Sequence, residues 1–200
     1  IEEPDSWGVL FDEQFSGDTA VIEDWANTLC WTALYLRENN MEDIDNPSNM
    51  EPEEVEAVID FLVENKNDGQ FQTIWSSYGN LINLLVNEEL VATYAFLTAY
   101  LEASDKGVNL GYPALKEGHY EWNDNWHITQ GAVDRGREEQ WYRLANYALS
   151  PQYAADMVST RAAHTGLDFS VTKEYIQDNS DKYDVEMLID RFESTQERYD

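Results

Sequence analysis

Trp122 and Asp124 are the residues whose types and spacing most directly suggest chemistry. They lie two positions apart in a stretch, Trp122 to Thr129, whose pattern predicts a strand, and such neighbours share one face. An indole beside a carboxylate can bind an alkylammonium ion, because the ring attracts the cation and the carboxylate accepts a charge-assisted hydrogen bond. The same spacing also fits a packed Trp beside a solvated Asp, so the pair alone does not decide between the two.

Strand-like and helix-like patterns alternate along the first two thirds of the chain. This alternation predicts an α/β layer structure with a largely parallel sheet. After Arg135 the pattern becomes mostly helical, and Ser150-Pro151 is typical of a helix N-cap followed by the first helical residue. The further predicted strands are 21–24, 71–75, 90–96 and 108–112, and the predicted helices are about 25–39, 51 to about 65–69, 78–86, 171–176 and 185–192.

The composition is strongly acidic, with 40 Asp and Glu against 12 Lys and Arg and a formal net charge of −28. Acidic chains that are poor in aromatics tend to be disordered, but this one is 42% hydrophobic and 13% aromatic and should fold. Self-repulsion at this charge needs screening by concentrated salt, which is typical of halophilic proteins. Scattered arginines in an acidic chain also argue against nucleic acid as a partner.

Three motifs occur in order between Gly111 and Met157: Pro113-x-x-x-Glu117-Gly118, then Trp122-x-Asp124, then a helix ending in Asn146-x-x-Leu149-Ser150-Pro151. This series resembles the polyamine (spermidine/putrescine) binding proteins of ABC importers. The resemblance implies a type II periplasmic-binding-protein-like lobe with a mixed or parallel sheet flanked by helices. It also implies C-terminal helices that belong to an incomplete first lobe.

The resemblance extends to three residues outside that segment. Asp24 matches a family position where a carboxylate at the start of a helix engages a ligand amine, and a helix N-cap suits it equally well. Asn27 takes the place of a second acid, so it keeps an acceptor but loses the charge. Tyr94 falls where the family has an aromatic facing the ligand, although it also fits a core position. Trp25 and Trp126 are further aromatics near the expected cleft.

The resemblance also implies a domain organisation and partners. Residues 1–112 would form the second lobe, 113–135 a hinge and cleft strand segment, and 136–200 the helical part that packs on a first lobe encoded upstream. Trp122, Asp124, Asp24, Tyr94 and Asn27 would then hold a small cationic amine between the lobes, with no cofactor or metal. The expected partner is a membrane permease, and the expected location is the extracellular face of the membrane, secreted or lipid-anchored. Apolar faces left uncovered on the C-terminal helices would favour dimerisation.

Other classes of function have weaker support in the sequence. The sequence has no Gly-x-Ser-x-Gly, Gly-rich phosphate loop or His-Glu-x-x-His motif, so we expect no enzyme. A carboxylate-dependent hydrolase remains an alternative only because, among 40 acidic residues, some two carboxylates are bound to face each other. A protein of the same fold that binds another solute, or a surface-interaction domain that has lost transport, is the main alternative.

Overall fold

The structure is a computed structural model, which describes residues 4–119, 125–161 and 167–196. The chain divides into two compact units, Ile1–Glu121 (unit 1) and Trp122–Asp200 (unit 2). The finer domain boundaries expected from the sequence stay predictions.

Unit 1 is built on a three-stranded parallel sheet with the strand order β2-β1-β3. The strands are β1 (Thr19–Ile22), β2 (Phe71–Trp75) and β3 (Ala92–Thr93). All four residues of β1 are buried, as expected for a central strand covered on both faces. The predicted α/β structure with a parallel sheet flanked by helices is therefore confirmed.

The structure describes four α-helices in unit 1, and three of them begin at residues with recognisable helix-start signals. Asp24 caps α1, Ser77 caps α3 by accepting from the Asn80 N–H, and α2 begins with Pro52 and a first turn in which the Glu54 carboxylate accepts from the Glu51 N–H. The helices are α1 (Trp25–Glu38), α2 (Pro52–Asn67), α3 (Tyr78–Val86) and α4 (Leu97–Asp105), and two short 3-10 helices, Trp7–Phe11 and Glu13–Phe15, precede β1.

The strand order places helices on both sides of the sheet. The connection from β1 to β2 contains α1 and α2, and these two helices pack together. The connection from β2 to β3 contains α3 and passes across β1 in the opposite direction, and α3 packs with α4. Right-handed crossovers in these two opposite directions put the two helix pairs on opposite faces. The chain therefore leaves β1 toward one face and β3 toward the other.

The core of unit 1 is dominated by aromatic rings. Trp31 of α1 is fully buried and stacks on Trp7 with ring centroids 5.1 Å apart and on Tyr94 at 5.7 Å. A smaller apolar cluster between α1 and α2 contains Leu36 and Val58. Burial of each large side chain contributes about 1.5–3 kcal/mol, so these clusters hold α1 against the sheet and against α2.

Four strand predictions were wrong in whole or in part. The predicted strand 21–24 is observed as Thr19–Ile22, so Glu23 and Asp24 lie outside it. The predicted strand 90–96 is reduced to Ala92–Thr93, and 108–112 is irregular. Of the predicted strand 122–129, the described residues 125–129 form no strand. Helix α4, which the sequence analysis did not predict, begins at Leu97 after an N-cap position, Phe96, that has no side-chain acceptor.

Unit 2 is helical throughout its regular elements in the described ranges, as expected for the chain after Arg135. Ser150 caps α7, since its hydroxyl oxygen accepts from the Tyr153 N–H at 3.2 Å. A small core joins α7, α8 and α9 through Val158, Ile176 and Leu188. The helices are α5 (Gln130–Val133), α6 (Glu138–Ala148), α7 (Pro151–Arg161), α8 (Phe169–Asp178) and α9 (Val185–Gln196).

Candidate functional site at the carboxyl edge of the sheet

The carboxyl ends of the three parallel strands define one edge of the unit 1 sheet, which we call the carboxyl edge. Ligands of open α/β sheets bind outside this edge, at the point where neighbouring connections leave toward opposite faces. Here that point lies between β1 and β3. Asp24 and Asn27 follow β1, and Tyr94 follows β3, so three of the five predicted ligand-binding residues meet at this point.

Asp24 is the N-cap of α1. One carboxylate oxygen accepts from the backbone N–H groups of Ala26 at 3.1 Å and Asn27 at 3.3 Å, and the other accepts from the Asn27 side-chain amide at 2.7 Å. The N-cap role considered for this residue is therefore confirmed. The residue is nevertheless exposed, so its carboxylate can accept a further hydrogen bond from a ligand.

Asn27 connects the two strands across this point. Its side-chain oxygen accepts from the Tyr94 hydroxyl at 3.4 Å, a long hydrogen bond, while its amide donates to Asp24. The result is a continuous polar chain from the end of β1 to the end of β3. A ligand group that bound Asp24 would compete for or extend this chain.

Tyr94 itself is a core residue with 6% of its surface exposed. Its ring lies nearly parallel to Trp31 and also contacts Trp7 and Phe96. Aromatic neighbours surround its ring, so its hydroxyl is the part that can take part in binding at the edge. The core role that the sequence analysis kept open is thus observed, and contact with a ligand stays a prediction.

The neighbouring Trp25 provides the exposed aromatic surface at this edge. It has 77% of its surface exposed and directly follows Asp24 at the start of α1. Glu23, the residue before Asp24, is also exposed. Two carboxylates and an accessible indole therefore lie in three consecutive positions at the end of β1, which is the residue combination that binds ammonium groups.

Trp122 and Asp124, the other two predicted ligand-binding residues, lie outside the described residues. Their predicted contact with a ligand stays a prediction. Trp126, the other aromatic noted near the expected cleft, belongs to unit 2 and has 48% of its surface exposed.

Glu117 is a buried carboxylate that the sequence analysis noted only as part of a turn. It is 6% exposed and accepts hydrogen bonds from the Ser6 hydroxyl, from the Trp7 N–H at 3.2 Å and from the Asn39 amide at 3.0 Å. Burial raises its pKa, but the hydrogen bonds from Ser6, Asn39 and the backbone lower it more, so the pKa lies below its usual range.

The Glu117 carboxylate joins three segments that are distant in sequence. The adjacent Gly118 adopts φ +82° and its carbonyl accepts from the Trp7 indole at 2.9 Å. The turn that contains Glu117 is thereby fixed to the first 3-10 helix and, through Asn39, to the end of α1. No local sequence signal marks this role, because Ser6 lies 111 positions away. Because the neutral donors of Ser6, Trp7 and Asn39 already bind the carboxylate, we assign Glu117 a structural role.

Comparison with known proteins gives no assignment: no protein-family model matches the chain, and no curated protein matches it significantly. In the described part of the chain, no group of three or more His, Cys, Asp or Glu is arranged to hold a metal ion. Among the described helices, none has both the length and the apolar composition needed to cross a bilayer.

Proposed function

We propose that the protein binds a small cationic amine of the spermidine or putrescine type at the carboxyl edge of the unit 1 sheet. The observation that carries this proposal is the linked chain Asp24, Asn27 and Tyr94 at the point where the β1 and β3 connections diverge. The exposed indole of Trp25 beside Asp24 provides a face for the ligand's ammonium group.

The distribution of charge in unit 1 supports a cationic ligand. Its four Lys and Arg residues are Arg37, Lys66, Lys106 and Lys116, and the first three lie at the C-terminal ends of α1 and α2 and directly after α4. Helices α1 and α4 start after a strand and α2 ends before one, so these three ends lie at the opposite, amino edge of the sheet. The carboxyl edge therefore has acidic residues without these cations near them.

The N-terminus of α1 is poorly suited to an anionic ligand. Free N–H groups at a helix start normally attract anions. Here the Asp24 carboxylate already accepts from Ala26 and Asn27, and its charge would repel an incoming anion. A cation is the ligand class that gains from this arrangement.

The wider role that we propose is that of the substrate-binding component of an ABC importer. The motif order from Pro113 to Pro151 supports this role, together with the α/β unit. In this proposal the protein works at the extracellular face of the membrane and delivers its solute to a permease. The type II binding-protein-like lobe and the contribution of Trp122 and Asp124 belong to the same proposal.

The test is calorimetric titration of putrescine and spermidine in molar KCl, with the variant Asp24→Asn. Asn is as good an N-cap as Asp, so the variant removes the charge and leaves the helix start intact. A hydrogen bond to a charged group contributes about 1.5–3 kcal/mol, so we expect the amine dissociation constant to rise roughly 10- to 150-fold.

The matched control is Asp168→Asn, which makes the same change at the N-cap of α8, where Asp168 accepts from the Ser170 N–H at 2.8 Å. It should leave amine affinity unchanged. Equal amine affinity in wild type and Asp24→Asn, or no heat of binding with either amine in wild type, would refute the proposal.

A neutral solute on the same edge is the second candidate. Asn27 has an amide where the resembled family has a second acid, and Asp24 is already engaged in three hydrogen bonds. A neutral ligand would then be recognised by amide and hydroxyl groups. The affinity for a neutral ligand would be insensitive to Asp24→Asn, whereas the affinity for an amine would fall roughly 10- to 150-fold.

A further inference from the structure

The stretch from Gly69 to Asn87 contains no charged residue, although 26% of the chain is charged. At that average a stretch of these 19 residues would contain about five charges. The stretch comprises β2 and α3 and ends just before Glu88. It is also largely at the surface: Ile74, Tyr78 and Val86 have 43%, 38% and 42% of their surface exposed. We call the surface formed by β2 and α3 the uncharged face.

The strand in this face is at the edge of the sheet. In the described part of the chain, β2 pairs with β1 on one side only. Alternate residues of a strand direct their N–H and C=O groups to opposite sides, so about half of the backbone groups of β2 point away from β1. Such an edge is a template for pairing with another strand unless charges or prolines protect it. The sequence Phe71-Gln-Thr-Ile-Trp75 has neither.

An open groove runs beside this edge, between β2 and α3. It is lined by Gln72 and Ile74 of the strand and by Asn80 and Asn83 of the helix. Glu89 also lines it, and its carboxylate accepts from the Asn87 amide at 2.9 Å and lies 3.5 Å from the Gln72 amide. The groove therefore offers backbone hydrogen-bonding groups, amides and one exposed aliphatic side chain to an incoming strand.

We propose that the uncharged face binds a second copy of this chain, with β2 paired to β2 of the copy across a two-fold axis. Two chains with a net charge of −28 each repel one another, and a face whose strand and helix carry no charge, with Glu89 alone lining the groove beside them, is where they approach at least cost. Two-fold symmetry makes the paired strands antiparallel. Centred on Thr73, the pairing places Gln72 opposite Ile74 of the copy and Phe71 opposite Trp75, and it joins two three-stranded sheets into one of six strands.

The test measures the oligomeric state of the chain in molar KCl by sedimentation equilibrium, together with hydrogen exchange at low and high protein concentration. We expect a reversible dimer in which the amides of 71–75 become protected as concentration rises. The variant Ile74→Asp places a negative charge on the pairing edge, close to Glu89 of the copy, and should raise the dimer dissociation constant about tenfold or more. The matched control is Ile59→Asp on α2, where Ile59 has 42% of its surface exposed, and it should leave the dimer intact.

Three outcomes would overturn the proposal. One is a monomer at all concentrations, and another is a dimer that Ile74→Asp and Ile59→Asp weaken equally. The third is a dimer whose concentration-dependent protection lies in α6, where Tyr142 and Leu144 have 59% and 54% of their surface exposed, and not in β2. Circular dichroism of both variants verifies that each is folded. Amine titration reports separately on the carboxyl edge, so failure of one proposal does not decide the other.

Discussion

Replacing Glu117 by Gln tests whether one buried carboxylate holds the ends of unit 1 together. The change keeps the size of the side chain and removes its charge. The Gln oxygen can still accept from Ser6 and Asn39, but the Gln amide then faces the Trp7 N–H, which places a donor against a donor.

The magnitude follows from these three contacts. Hydrogen bonds to a charged acceptor contribute about 1 kcal/mol more than neutral ones, and a buried N–H left without an acceptor costs about 1–3 kcal/mol. Easier burial of a neutral amide offsets part of this sum. We therefore expect the free energy of unfolding to fall by about 2–3 kcal/mol, which moves the urea midpoint down by about 1 M or more.

The assay is urea unfolding followed by tryptophan fluorescence in molar KCl, at neutral pH and again in acid. Because the pKa of Glu117 is lowered in the folded state, its contribution is complete above the unfolded-state pKa of about 4.3 and is lost as the pH falls through the folded-state pKa. The difference between wild type and Glu117→Gln should therefore shrink on acidification.

The control is Glu42→Gln, which removes one charge from an exposed loop position and should change stability by less than about 0.5 kcal/mol. If Glu117→Gln unfolds at the same urea midpoint as the wild type, the structural role of Glu117 is refuted. A stability difference that stays constant from neutral to acid pH would refute the assignment of that role to the ionised carboxylate.

Two further changes test the cores of the two units by thermal or urea unfolding. Trp31→Ala removes the fully buried ring between Trp7 and Tyr94 and should lower the free energy of unfolding by about 3–5 kcal/mol. Trp25→Ala, at the exposed edge, should leave the free energy of unfolding nearly unchanged. Similar decreases for both variants would contradict the observed packing. Tyr183→Phe removes the hydrogen bond to Asp156 at 2.7 Å and should cost about 1 kcal/mol. Burial, and after it the hydrogen bond and charge of Asp156, raise the pKa of Tyr183 in the folded state. The difference in unfolding free energy between wild type and Tyr183→Phe should therefore be complete below about pH 10 and diminish above it. A difference that does not change between neutral and alkaline pH would argue against the hydrogen bond.

The sequence predicted the elements that have strong local signals. Helix α3 was placed at its observed bounds because Ser77 marks its start and an apolar run fills it, and β1 and β2 are short apolar runs next to turns. Helix α4 was missed because Phe96 gives no capping signal, and the aromatic and β-branched residues of 90–96 favoured a longer strand. Burial among tertiary neighbours, which a single sequence does not display, decided between strand and helix there.

The site was predictable to a smaller extent. Asp24 and Asn27 are three positions apart, so their proximity follows from helix geometry once α1 is recognised. The approach of Tyr94, 67 positions away from Asn27, depends on the parallel pairing of β1 with β3. The burial of Glu117 and the edge position of β2 are likewise consequences of long-range packing, which no local pattern in the sequence encodes.

The proposed binding of a small cationic amine at the carboxyl edge of the unit 1 sheet can be followed residue by residue. The measurement is the change in backbone amide chemical shifts of the isotope-labelled chain when putrescine is added in molar KCl. We expect saturable shifts at Asp24, Trp25 and Asn27 and at Tyr94, and no comparable shifts at the Asp168 cap of α8. Shifts that never saturate and spread over acidic residues throughout the chain, or no shifts at the end of β1, would contradict the proposed binding.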